Sequence, residues 1–517
     1  MKRPPAVLLG LILSIFCASS VARSGEPLAR STPEAQGVDS RAVLDFVQAV
    51  DLDVDSLHSL MLVRHGKVVA EGWWTPYNAS SRHELYSLSK SFTSTAVGLA
   101  VGEGKLSVSD PVLKFFADEA PASPSDTLKA MRVSDLLRMS TGHQTEPSVY
   151  DKREWRRTFL AHSVPFKPGT HFQYNTPATY MCSAIVQKAT GQTVFEYLKP
   201  RLFEPLGIED PTWPSSPEGV TLGGYGLSVR TEDLARFGQL YLQKGVWNGK
   251  QLLPAEWVAA ATRLQTSNGS NPASDWDQGY GYQFWRCQHN AYRGDGAFGQ
   301  YCLVLPDQDA VLVITSGLGN MQEVLDLVWS KLLPGLQGSA RPDDALSQKA
   351  LLDRLAGLTL RLPEGQASAP AVDRAMGRTY AFETSEDQPL ESIRLEAGEK
   401  PGEVVLVTKV AGIEHRIACG SGRWLSGTAP SGLLGHQALP ARTTESPAAD
   451  RVVAGSAAWA DDDTLALRLA FYETPYVLTL RLSFPEAEAG KSVVVDAATN
   501  VAFGATKQPR RTGKASD

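Results

Sequence analysis

The sequence is poor in the residues that build metal or disulfide scaffolds. Five cysteines and nine histidines are spread over 517 residues. None shows a Cys-x-x-Cys, His-x-His or His-Glu-x-x-His spacing, so no zinc site and no metal or other cofactor is expected. There is no basic stripe apart from the last residues (Lys507, Arg510, Arg511, Lys514), and the formal net charge is -6. The electrostatic footprint of a nucleic-acid binder is therefore missing. Beyond the N-terminus no apolar run approaches the roughly 18–20 residues of a membrane span, and no glycine-rich phosphate loop opens a helix. With 43% hydrophobic and 21% charged residues, disorder and a coiled coil are also excluded.

What is present begins with a leader. Met1–Ala22 carries two positive charges (Lys2, Arg3), an apolar run Ala6–Phe16, and small residues at Ser20 and Ala22. This is the pattern of a cleaved secretory signal, and it predicts a periplasmic or secreted protein with no membrane span in the mature chain. The bulky Phe16 before Cys17 argues against a lipoprotein site. Of the remaining cysteines (Cys182, Cys287, Cys302, Cys419), Cys287 and Cys302 fall on segments that read as strands of one hairpin. Either a disulfide or two separate buried thiols fits there.

Residues 57–73 read as two β-rich runs around a His65-Gly66-Lys67 turn. From Ser87 the spacing of Ser91, Phe92, Thr95 and Leu99 is helical, ending near Gly102 and Gly104. Residues 105–215 are mainly helical. Strand composition returns in two runs, Tyr282–Trp285 and Tyr301–Thr315, closed by a helix-like segment, Met321–Leu333. That order predicts an α+β fold, an antiparallel sheet built from both ends of a domain with helices inserted between. The expected organisation is a domain at 30–336, a linker with one short helix at 337–372, a separate β domain at 373–505, and a solvated, frayed basic tail at 506–517. The period-two segments of the β domain, such as YVLTLRLSF, suit a barrel or a sandwich.

Ser87 and Lys90, three apart in Tyr86-Ser87-Leu88-Ser89-Lys90, share one face of a helix, so the lysine amine reaches the serine hydroxyl. A helix N-terminus there favours developing negative charge. Such a spacing arises about once by chance in a chain of this size, and taken alone it would normally be read as a helix cap beside a solvated lysine. The pair has company, however. Pro168-Gly169-Thr170-His171-Phe172-Gln173-Tyr174-Asn175, with Thr190-Gly191 beyond it, resembles the second motif of the serine β-lactamase and penicillin-binding-protein superfamily, in which a tyrosine faces the Ser-x-x-Lys pair. The strings Leu106–Pro111, Ser134–Leu137 and Pro205-Leu206-Gly207 are similar to those of its class C branch, which includes esterases and 6-aminohexanoate-dimer hydrolases. The resemblance covers about residues 35–335 and implies a β-lactamase/transpeptidase-like fold with a helical subdomain.

It also implies roles. Ser87 is the nucleophile, Lys90 and Tyr174 the acid–base pair, the N–H groups of Ser87 and Ala297 the oxyanion hole, and Thr176, Gly294 and Gly296 the substrate-binding positions. The third motif matches Arg293-Gly294-Asp295-Gly296-Ala297, with Gly294 where the family usually has a lysine or histidine that engages a carboxylate. Strand geometry turns Arg293 and Asp295 away from the face shared by Gly294 and Gly296. Thr176 stands where class C enzymes usually have asparagine. Three further groups stay open: His83 and His143 as structural hydrogen-bonders or site residues, Trp276, Tyr280, Tyr282 and Trp285 as pocket or core, and Arg153, Arg156 and Arg157 as anion contacts or a solvated helix face. Three functions fit: an exported serine hydrolase of a small ester, amide or peptide-like substrate, a β-lactamase or D-alanyl-D-alanine carboxypeptidase, and a non-catalytic binding protein that keeps the fold.

Overall fold

The computed structural model describes residues 26–516 except 151, 337, 386–387 and 435–445; the leader, with Cys17, lies outside the described residues. Helix α1 (Ser40–Asp53), whose N-cap Asp39 accepts from the Arg41 N–H, leads into β1 (Leu57–Arg64) and β2 (Lys67–Trp73). His65 (φ 49°) and Gly66 (φ 73°) make the two-residue turn between these strands, both in the left-handed region that matches strand twist. Helices α2 (Ser89–Gly102), α3 (Thr176–Thr190) and α4 (Thr231–Leu242) follow. The chain then returns as β3 (Trp285–Arg286), β4 (Tyr292–Gly296), β5 (Gln300–Leu305), β6 (Ala310–Ser316) and α5 (Met321–Leu327).

These six strands form one antiparallel sheet in the order β2-β1-β6-β5-β4-β3. β1, β5 and β6 are buried along their whole length, because both faces of the sheet are covered. Met61, Val63, Val304, Val311 and Val313 share a core with Phe92 of α2 and Phe237 of α4. Their sequence neighbours Leu60, Leu62, Leu303, Leu312 and Ile314 pack with Phe46 and Val50 of α1 and Leu325 of α5. Continuous apolar runs, without alternation, are what a sheet covered on both sides requires.

The predicted run 301–315 is two strands. A 3-10 turn at Pro306–Gln308 followed by Asp309 at φ 47° breaks it and sends the chain back antiparallel. Cys287 and Cys302 do not share a hairpin, since β4 lies between them. Both are free and buried, Cys302 in the core under α4 and Cys287 in the core on the other face. The segment expected to be a linker is more than one: α6 (Ala345–Ala356) buries Leu351 and Leu355 in the α1-side core, and Leu358 follows against Gly72 of β2.

The C-terminal domain is a closed barrel. Its strands are β7 (Thr379–Ala381), β8 (Leu390–Ala397), β9 (Val404–Val410), β10 (Ile413–Ser421), β11 (Leu425–Pro430), β12 (Asp450–Trp459), β13 (Thr464–Ala470), β14 (Val477–Ser483), β15 (Ser492–Thr499) and β16 (Arg511–Ala515). Nine of them make the ring β10-β9-β8-β7-β16-β15-β14-β13-β12. It closes where Cys419–Ser421 pair in parallel with Gly455–Ala457, and β11 lies along β12 as a tenth strand. The basic segment read as a frayed tail is thus strand β16, paired on both sides with β7 and β15. Its Arg510 neighbour is held by Asp496 at 2.8 Å.

The barrel docks on the first domain through the loops at 471–476 and 500–503. Tyr77 donates its hydroxyl proton to the Thr474 carbonyl (2.9 Å), the Glu84 N–H donates to the Glu473 carbonyl (2.9 Å), and Asn500 Nδ2 donates to the Gly317 carbonyl (2.9 Å). Among the described residues no helix is long and apolar enough to cross a membrane.

Candidate functional site

Ser87 sits in a 3-10 turn, Tyr86–Leu88, that runs directly into α2, rather than in the first α-turn itself. Tyr86 adopts φ 47°, an uncommon conformation for a bulky residue and one found where function holds a strained backbone. Two interactions brace it. The Tyr86 hydroxyl hydrogen-bonds Tyr476 of the barrel at 2.7 Å, and its ring meets Phe298 edge-on at 5.5 Å.

One turn along, Lys90 is buried, and its Nζ lies 3.1 Å from Ser87 Oγ, 3.2 Å from Thr176 Oγ1 and 2.8 Å from the Gly224 carbonyl oxygen. Gly224 must be a glycine for this approach: a Cβ there would fall 2.6 Å from Thr176 Cγ2. Burial pulls the Lys90 amine down to about 7, against a smaller upward pull from Glu146 and Asp295.

Tyr174 precedes Asn175, the N-cap of α3, whose Oδ1 accepts from the Ala178 N–H at 3.0 Å. The cap fixes where the chain enters the helix, and so places Tyr174 against the serine. Its phenol hydrogen-bonds Ser87, and Lys90 Nζ lies 5.0 Å from its ring centre. Burial pushes this phenol well above its usual range, while the bond to Ser87 pulls the other way. The Trp285 ring stacks on Tyr174 at 5.5 Å, and Tyr280 meets it edge-on.

Ser87, Tyr174, Thr176 and Ala297 line one cavity of about 540 Å³. Gly294 and Gly296 do not line it. A Cβ on Gly294 would meet Leu88 and Ser91 of the Ser87 segment at 3.0–3.1 Å, and one on Gly296 would lie 2.0 Å from the Leu85 carbonyl oxygen. These glycines let β4 lie flat against the Ser87 segment instead of opening space for substrate. Asp295 does point away from the face that Gly294 and Gly296 share, on the same side as Arg293, and it lines the cavity because that side, not the glycine side, meets it. Its Oδ2 accepts from Nε of the fully buried Arg293 at 2.7 Å, while Nη1 of that arginine turns to the Asp275 carbonyl.

The aromatic quartet divides. Trp276 and Trp285 line the cavity; Tyr280 and Tyr282 are core. His83 is a buried bridge, with Nε2 3.0 Å from His58 Nδ1 and Nδ1 2.9 Å from the Glu84 carbonyl, and burial lowers it to about 4. His143 is buried beside Thr141 and Asn175. Arg156 pairs with Glu119 and Glu218, Arg157 with Glu154, and none of the three arginines lines the cavity.

Sequence reasoning missed Glu146, Tyr150, Gly224, Tyr225, Met321 and Phe503, which complete the site. The Gly223-Gly224-Tyr225-Gly226 run was the one local signal for any of them. Phe503 comes from the barrel, is 61% exposed, and closes one wall beside Tyr86 and Phe298. A larger apolar groove of about 780 Å³ between β2 and α6 holds none of the candidate residues. Among the described residues no group of three or more His, Cys, Asp or Glu side chains is placed to hold a metal ion.

The sequence model of the Beta-lactamase family matches residues 58–327. A 6-aminohexanoate-dimer hydrolase from Paenarthrobacter ureafaciens is 27% identical over 286 residues, covering 49% of this chain and 71% of that protein. A β-lactamase from Pseudomonas fluorescens is 24% identical over 275 residues, 45% and 74% of the two chains. Among solved structures, the octameric penicillin-binding protein homologue from Pyrococcus abyssi aligns with 91% of this chain and 98% of its own, at 14% identity and a TM-score of 0.46.

Proposed function

This chain belongs to the Beta-lactamase family of serine hydrolases, and from that premise we propose that it cleaves an ester or amide through an acyl-enzyme on Ser87. The observation that carries the reading is the buried amine of Lys90, lowered to about 7 and 3.1 Å from Ser87 Oγ. A neutral amine has two N–H donors and one lone pair. With the donors on Gly224 and Thr176, the lone pair faces Ser87.

Lys90 takes the Ser87 proton as Oγ attacks the carbonyl carbon. The oxyanion forms between the N–H groups of Ser87 and Ala297. Both peptides are held for this. The Tyr86 carbonyl accepts from the Ser89 N–H, and the Gly296 carbonyl accepts from the Gly299 N–H at 3.1 Å. Since N–H and C=O of a trans peptide point oppositely, each bond aims the next N–H away from it. Each such donor is worth about 2.7–4 kcal/mol in the transition state. Tyr174, kept protonated by burial, gives its proton to the leaving group and regains one from Lys90; water then releases the acyl group. The leader supports export, which the N-terminal mass of protein recovered from the periplasm tests.

A β-lactam or D-alanyl peptide carries a carboxylate, and the cavity wall at β4 offers the Asp295 carboxylate instead of a cation. That disfavours this second reading, and nitrocefin turnover checks it. The central test is a reactive fluorophosphonate read by intact mass. One adduct is expected on the parent, absent in Ser87→Ala and slowed in Lys90→Ala. Labelling that survives Ser87→Ala would overturn the assignment.

A further inference from the structure

The charges on the cavity wall have one sign. Asp295 and Glu146 line it, whereas Arg293 is buried behind Asp295 and Lys90 lies beneath Ser87. The Asp295 side chain is 7% exposed, and its one hydrogen bond among the described residues, from Arg293, occupies Oδ2. Oδ1 has no hydrogen-bond partner among the described residues, and the side chain lines the cavity. Arg293 fixes the carboxylate without covering that oxygen. Its Nη1 is drawn to Asp275 and Cys287, and the Trp276 ring lies 4.5 Å from its guanidinium carbon.

Much of the rest of the wall is aromatic, with Tyr150, Tyr225, Trp276 and Trp285 beside the non-aromatic Thr176, Ala297 and Met321. Ring faces carry negative potential and attract a cation, most strongly where water is excluded. A carboxylate oxygen among such rings makes a charge-assisted contact with an ammonium and repels an anion. Position 294, turned into α2, offers no opposing cation.

We infer that the site selects substrates bearing an ammonium group a few bonds from the scissile carbonyl, with Asp295, Glu146 and the Trp276–Trp285 wall as its receptor. The inference rests on the acyl-enzyme reading of Ser87 for turnover, though not for binding. It extends that reading from ester or amide in general to cationic acyl or leaving groups.

The test compares p-nitrophenyl esters of equal shape: 4-(trimethylammonio)butanoate, its neutral isostere 5,5-dimethylhexanoate, and anionic hydrogen glutarate. The cationic ester is expected to exceed the neutral one in kcat/KM by about tenfold, with the anionic ester slowest. Asp295→Asn and Glu146→Gln should each lower the cationic-to-neutral ratio several-fold, a ratio that general damage to the fold leaves unmoved. Glu146, exposed on the rim, keeps the test open if Asp295→Asn fails to fold. Added salt should shrink the ratio through its Glu146 part.

Equal or reversed preference, or an unchanged ratio in both variants, overturns the inference. A separate readout needs no chemistry: quenching of indole fluorescence by choline against neutral 3,3-dimethylbutan-1-ol. Tighter choline binding with no ester turnover would sink the acyl-enzyme reading and leave the cation receptor standing. Turnover of all three esters without charge preference would do the reverse.

Discussion

A protonated lysine brings three N–H donors to its neighbours, and Lys90 has three oxygens around it, one of them the nucleophile. Only when the amine is neutral does that third contact become an acceptor for the Ser87 proton. The sign of the pH dependence follows. In the proposed mechanism neutral Lys90 is the working base; its value is lowered to about 7, and kcat/KM should fall about tenfold per pH unit below that point. A profile flat from pH 5 to 8 would remove Lys90 from the role. Tyr174 acts at the other end of the step. Since p-nitrophenolate leaves without a proton and an amine does not, Tyr174→Phe should cost about 10²-fold or more on an anilide and much less on a p-nitrophenyl ester. The two rates measured on one preparation give the answer.

At the scale of the element, β4, next to the edge strand β3, is built to be thin. Gly296 lies so close to the Leu85 carbonyl that a methyl group would push β4 from the Ser87 turn. Gly296→Ala should cost about 1–3 kcal/mol of stability and, by moving Ala297, about 10²-fold in rate; urea unfolding and ester kinetics measure the two separately. This strand also shows what was legible in the sequence. The helix face that joins Ser87 to Lys90, the Asn175 cap that delivers Tyr174, and the β1–β2 turn are local, and the sequence carries each in a few neighbouring residues. The break in the run 301–315 carries a local mark, the polar Pro306-Asp307-Gln308-Asp309 between two apolar halves, which a reading by strand composition alone passes over. The alternation read for β4 holds, with Arg293 and Asp295 on one face and the two glycines on the other; the sequence did not tell that the glycine face packs on the Ser87 segment and leaves the Asp295 face to the cavity. Glu146, Tyr225 and Phe503 reach the cavity from three distant loops, a placement fixed only by tertiary packing.

For the whole molecule, the barrel is part of the architecture of the candidate site. Tyr476 holds the hydroxyl of Tyr86, the residue with the unusual φ next to the nucleophile, and Phe503 walls the cavity. Tyr86→Phe and Tyr476→Phe should each destabilise by about 1 kcal/mol, and the double variant by little more than either alone, since both remove one bond. A thermal-unfolding cycle of the four proteins reads the coupling, and additive losses would show that the domains do not communicate through this pair.

The ring of nine has an arithmetic of its own. Strands that alternate up and down can close only in even number; with nine, the first and last must run the same way, and one seam has to be parallel. That seam is the three-residue joint between Cys419–Ser421 and Gly455–Ala457, where β10 and β11 share one edge of β12. Parallel pairing is slightly weaker per residue, and with three pairs this join is as short as that of β7 with β8 and longer only than the two-residue contact of β7 with β16. The barrel therefore has a built-in place to open like a cylinder slit along its length. Amide exchange at residues 419–421 and 455–457 should run well ahead of that in the long β13–β14 and β9–β10 ladders.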